Sequence, residues 1–139
     1  MRFFSLILLS LLFVSCSSST PENISKSVDQ YIAEDNYQTA LELLNNADPD
    51  QTDADLTKLQ EKTYLNYGLY LEYRGPEDSS MRDRMTSALE QFIKVLNINP
   101  NNEKARSEIQ QIMSIYETMP DRSPGESIME DLRKLGFDY

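Results

Sequence analysis

The sequence predicts an all-α fold of antiparallel neighbouring helices joined by short loops. Three observations lead there. Apolar residues recur at helical spacing through most of the body. Breaks rich in proline, glycine, asparagine and aspartate cut that body into segments of helix length. No segment shows the strict alternation of a strand.

The elements follow in chain order. Thr20-Pro21-Glu22 reads as an N-cap with proline at the first helical position, and the first helix runs to about Glu34. Asp35-Asn36 breaks it. The second helix runs from Tyr37 to about Ala47, with Ala40, Leu41, Leu43 and Leu44 apolar, and Asp48-Pro49-Asp50-Gln51 ends it. Thr52 and Asp55 form a capping box for a third helix that reaches Tyr73. After Arg74-Gly75-Pro76-Glu77-Asp78, the fourth helix runs from about Ser80 to Ile98 on a stripe of Met81, Met85, Ala88, Leu89, Phe92, Val95 and Leu96. Asn99-Pro100-Asn101 stops it. The fifth helix spans roughly Asn102 to Thr118, with Ile109, Ile112, Met113 and Tyr116 on one face. Ser123-Pro124-Gly125-Glu126 supplies an N-cap for a sixth helix, which ends at Leu135 and is closed by Gly136.

The N-terminus carries a different signal. Arg2 precedes the apolar run Phe3–Val14, which is shorter than the ~20 residues a membrane span needs. A basic start, a short apolar core and a small residue before a cut describe a secretory signal over residues 1–15. Phe13-Val14-Ser15-Cys16 resembles the lipobox of bacterial lipoproteins, with Phe13 where leucine is usual. The resemblance implies that Cys16, the one cysteine of the chain, is acylated (a palmitate-type anchor) and becomes the first mature residue. The alternative is a signal without lipid. Residues 16–21 then read as a lipidated tether, since Ser17–Thr20 has nothing to bury. Ser17 stands where an aspartate retains such lipoproteins at the inner membrane, so the resemblance implies the outer membrane, facing the periplasm.

The remaining chain suits one domain. Without Arg2 it holds 12 basic and 23 acidic residues, a formal charge of −11. That balance argues against nucleic acid and against direct binding to anionic headgroups. With no second cysteine there is no internal disulfide.

Catalytic chemistry has few candidates. The chain has no histidine, which removes the commonest general base and neutral metal ligand. Its glycines are scattered, so no phosphate loop is expected. Asp48-x-Asp50-x₂-Asp53-x-Asp55 departs from a calcium loop, with Asp53 at the required glycine and Leu59 at the closing glutamate. A solvated inter-helix loop is the expectation. We expect no enzyme, metal, cofactor or small-molecule substrate. A carboxylate-only hydrolase is a third class that no residue set supports.

Spacing within the helices resembles the tetratricopeptide repeat (TPR), whose 34-residue unit carries W-x₂-L-G-x₂-Y, then A-x₃-F, then proline. Tyr64-x₂-Tyr67-Gly68-x₂-Leu71 stands for the first part, Ala88-x₃-Phe92 for the second and Pro100 for the third. Gly68 and Ala88 are small where two helices must approach closely. Tyr31, Tyr37 and Ala40 repeat the theme earlier, with Val28 in place of the glycine, and extra loop residues lengthen the period. The resemblance implies a short TPR-like α-solenoid over residues 22–119. Residues 120–139 are then a linker and a C-terminal capping helix, needed because repeat proteins must cover their last face. An ordinary helical bundle is the alternative.

The third helix is apolar on two arcs, as a sandwiched helix is. Carried over by position, the TPR groove is lined by Lys62, Leu65, Leu69, Glu72 and Tyr73. Ser25, Asp29 and Ile32 join them on one side and Lys104, Ser107 and Gln111 on the other. The functional expectation is a membrane-anchored adaptor or assembly factor that holds a protein partner in the cell envelope. The alternative is a structural subunit whose groove is filled by its own last helix.

Overall fold

The structure, a computed structural model, describes residues 21–47 and 53–139. The signal, Cys16, residues 16–20 of the tether, the Thr20 and Thr52 caps and residues 48–52 of the acidic loop lie outside them, while Pro21, expected to end the tether, begins α1. The fold is all-α, with six helices and no strand among the described residues: α1 Pro21–Ala33, α2 Tyr37–Asn45, α3 Asp53–Tyr73, α4 Met81–Ile98, α5 Glu103–Tyr116 and α6 Glu126–Lys134. None of them is long and apolar enough to cross a membrane.

The ends follow from local chemistry. Asp35 ends α1 in the left-handed region (φ 55°), where the Asn36 N–H donates to the Tyr31 carbonyl at 2.8 Å. Ser80 Oγ accepts from the Asp83 N–H at 3.1 Å, and Asn102 Oδ1 accepts from the Ala105 N–H at 2.9 Å, so the residues expected to begin α4 and α5 are their N-caps. Gly136 (φ 84°) closes α6, with the Phe137 N–H donating to the Leu132 carbonyl at 3.0 Å. The start of α6 differs from expectation. Gly125, not Ser123, is the N-cap, and Ser123 Oγ accepts the Gly125 N–H at 3.1 Å. Gly125 has φ 112°, outside any helical turn, so the helix begins after it.

Cross-helix contacts set the directions. Along α3 and α4 the pairs Glu61–Asn99, Tyr64–Lys94, Gly68–Phe92 and Arg74–Arg84 run in opposite senses, an antiparallel pair. Asp29–Lys62 and Asp35–Arg74 increase together, so α1 and α3 are parallel. Glu61–Asn102 and Glu72–Gln111 make α3 and α5 parallel too. Helices α1, α3 and α5 thus lie side by side. Helix α2 packs against both α1 and α3, α4 against both α3 and α5, and α6 against α4.

The interior has two parts. Met85, Ala88, Leu89, Phe92, Val95 and Leu96 of α4 meet Ala105, Ile109, Ile112 and Tyr116 of α5 and Ile128 and Leu132 of α6 in the larger core. A smaller one joins Ile24 and Val28 of α1 to Leu44 of α2, with Leu56 and Leu59 of α3 against it. Helix α3 serves both along its length, with Leu56 and Leu59 near its start against the smaller core and Tyr64, Leu65, Leu69 and Leu71 further on against the larger one. Between the cores, the buried Tyr37 ring stacks on Tyr67 (centroids 4.9 Å, planes at 11°) and leans on Tyr70 at 5.4 Å.

Two small residues permit the closest approaches. A Cβ on Gly68 would lie 2.5 Å from Phe92 Cε1, and Ala88 is fully buried. Tyr64 and Tyr67 are half-buried, and Leu71 and Ala40 are buried. Pro100 is exposed. Its part is in the α4–α5 turn, where its carbonyl accepts from Arg106 Nε at 2.9 Å.

Candidate functional site

The face formed by α1, α3 and α5 carries the residues expected to line a groove. Parallel neighbours bring them into one ladder. Lys62 Nζ donates to Asp29 Oδ1 at 2.6 Å, which joins α3 to α1. Gln111 Nε2 donates to Glu72 Oε1 at 2.8 Å and to the Tyr73 hydroxyl at 2.9 Å, which joins α5 to α3. The same hydroxyl donates to Glu108 Oε2 at 2.7 Å, and Lys104 pairs with the other oxygen of Glu108.

Several expected lining residues are therefore occupied with one another. Leu65 and Leu69 are half-buried against the larger core, and Ile32 is half-buried against the smaller one. Glu72 is buried, whereas Tyr73 next to it is 56% exposed although its hydroxyl is held. Lys62, Lys104, Ser107 and Gln111 are exposed. Ser25 and Leu59 line a cavity of about 420 Å³ at the start of the face, with Glu22, Asp55 and Lys58. The face is thus a half-buried apolar centre beneath a polar ladder, dressed as interface rims are.

Two residues that sequence reasoning did not single out hold this face together. Glu61 Oε1 accepts from the side-chain amides of Asn99 at 2.8 Å and Asn102 at 2.7 Å, and so ties α3 to the turn that starts α5. Glu108 is 2% exposed and accepts from two helices. An isolated glutamate reads as solvated in a sequence. The signal was its place beside the apolar Ile109 on the side of α5 that faces α3.

The electrostatics centre on Glu72 and Glu108. Burial, then the neighbouring Glu108 carboxylate, pushes the Glu72 carboxyl up to about 8. Burial also opposes ionisation of Glu108. There the opposing effects of Lys104, the Tyr73 hydroxyl and Glu72 prevail and hold it below the usual carboxylate value. The hydrogen bond to Glu108, chiefly, raises the Tyr73 hydroxyl, and that to Glu108 also raises the Lys104 ammonium. Elsewhere, burial and then Asp35 push the Tyr37 hydroxyl up to about 12. No cluster of three or more metal-ligating side chains of the His, Cys, Asp and Glu type exists among the described residues.

No protein family, characterised protein or solved structure matches the chain.

Helix α6 lies on another side. It packs on α4, where Ile93, Lys94, Ile128 and Asp131 line a cavity of about 320 Å³. Arg106 Nη2 donates to the Leu135 carbonyl at 3.3 Å, and the Arg106 guanidinium sits 5.2 Å from the centre of the Phe137 ring, so the tail is tied down beside α5.

Proposed function

We propose that the chain is a lipid-anchored protein of the bacterial envelope whose α1–α3–α5 face holds a protein partner, as TPR-like adaptors and assembly factors do. The observation that carries this reading is the parallel row of α1, α3 and α5, with α6 seated on α4 rather than across that row. A row of this kind presents one continuous strip with an apolar centre and a polar rim. Cys16 supplies the anchor, and Ser17–Thr20 the tether to the periplasmic side of the outer membrane. The acidic charge keeps the body off anionic headgroups and available to a protein.

Photo-crosslinking in cells from a reactive residue at Ser107, an exposed position on α5, tests the reading. The expected result is one discrete envelope protein, lost when Lys62 is changed to glutamate. Crosslinks confined to Ile128–Tyr139 of the same chain would instead make the protein a structural subunit that covers its own face. Cys16→Ser is expected to move the protein from the membrane fraction to the soluble one.

A further inference from the structure

We infer that Glu72 and Glu108 share one proton across the α3–α5 seam, and that this carboxyl pair is a latch that loosens the seam when the proton leaves. The inference does not depend on the proposed function. Glu72 is 5% exposed and Glu108 2% exposed, so neither carboxyl has bulk water as a partner. Every carboxyl oxygen of the pair has a partner but one. Glu72 Oε1 accepts from Gln111, Glu108 Oε2 accepts from Tyr73 and Glu108 Oε1 faces Lys104. Glu72 Oε2 is buried and receives no hydrogen bond.

An acceptor left bare at that depth has lost its hydration with nothing in return, and the penalty is larger when it is charged. A proton on Glu72 Oε2 removes the cost at once. The oxygen becomes a donor, and the Glu108 carboxylate beside it is the acceptor. The same proton removes the repulsion between two carboxylates in a poorly hydrated seam. Loss of the proton to solvent leaves two buried negative charges with one ammonium, Lys104, between α3 and α5.

The charged and titratable groups that face the pair are Lys104 on α5 and Tyr73 on α3. Both are held above their ordinary values, so neither changes charge between pH 5 and 9. Glu108 is already ionised there. Glu72 alone titrates in that window. Its closed-state value lies above its open-state value, so closure binds a proton and is favoured at low pH. The seam's opening equilibrium then rises up to tenfold per pH unit above the ordinary carboxyl range and levels off once the closed form has ionised.

The test uses the full chain in detergent. The carboxyl carbon of Glu72 is followed by NMR from pH 4 to 10, together with hydrogen exchange of α5 amides corrected for base catalysis and referenced to α4. The expected result is a Glu72 transition well above pH 6 and an α5 opening that grows with pH. In Glu72→Gln, whose amide can donate to Glu108 at every pH, that growth is expected to vanish. A Glu72 transition in the ordinary range near pH 4–5 overturns the inference, and so does equal pH dependence in the two proteins. If the variant does not fold, the wild-type titration decides alone.

Discussion

Gly68 shows how much one residue can decide. The helix backbone at that position would gain about 1 kcal/mol from alanine. The Cβ would, however, enter the Phe92 ring, which is fully buried and has no room to retreat. Overpacking of this kind costs about 1–3 kcal/mol. We expect Gly68→Ala to destabilise the protein by up to about 2 kcal/mol net in urea unfolding. In a Phe92→Leu background the same change should be neutral or stabilising. A gain in the wild-type background would show that α3 and α4 are not held at this distance by Phe92. The small residues were readable from sequence because a requirement for closeness leaves a missing side chain, and Gly68, Ala40 and Ala88 all show it. Glu72, Glu108 and Glu61 left no such mark. Their burial follows from the register of α3 against α5, and the one local hint, Glu108 beside the apolar Ile109, does not tell which carboxylates two parallel helices will enclose. Tyr73 and Gln111 were readable as neighbours, but not as partners of a buried acid.

Element boundaries were legible wherever a side chain made the cap, as at Ser80 and Asn102. The start of α6 was not, because Ser123 and Gly125 are both plausible caps and only backbone conformation separates them. The placement of α6 was also open in the sequence, since its stripe of Ile128, Met129, Leu132 and Leu135 would suit either side of the other helices. Its seat on α4 makes two predictions. Leu132 is fully buried, so Leu132→Ala should cost about 2–5 kcal/mol, read by thermal and urea unfolding. Truncation after Pro120 should bare the α4–α5 core and give aggregation by light scattering. A truncated protein that stays monomeric with an unchanged melting point would mean that α6 contributes nothing to this core. On α3, Glu61→Ala removes the acceptor of two side-chain amides and should loosen the α4–α5 turn. Faster hydrogen exchange at Asn102–Arg106 than at mid-α4 would show it.

At the scale of the whole molecule, the two cores are unequal. The one around α4 gathers α3, α5 and α6, whereas the one around α1 rests on Ile24, Val28 and Leu44. In a stacked array each unit is stabilised by its own packing and by its neighbour, so the weaker end should open first. The coupling runs through Tyr37. Its ring stacks on Tyr67 and leans on Tyr70, its hydroxyl donates to Asp35 at 3.0 Å, and Arg74, just after α3, donates twice to the same Asp35 carboxylate, at 2.7 and 2.9 Å. Stacked aromatic pairs contribute about 0.5–1.5 kcal/mol beyond the area they bury. The charge pair is largely exposed and adds less. Hydrogen exchange should therefore reveal a subglobal opening of α1 and α2 below the global unfolding free energy, with α4 and α5 the last to exchange. Tyr37→Ala removes the stack and the bond to Asp35 while leaving the larger core intact. It should lower the α1–α2 opening free energy by more than it lowers that of α4. If both fall equally, the chain unfolds as one unit, and the parallel row of α1, α3 and α5 is a single rigid strip rather than a stack whose first member can move.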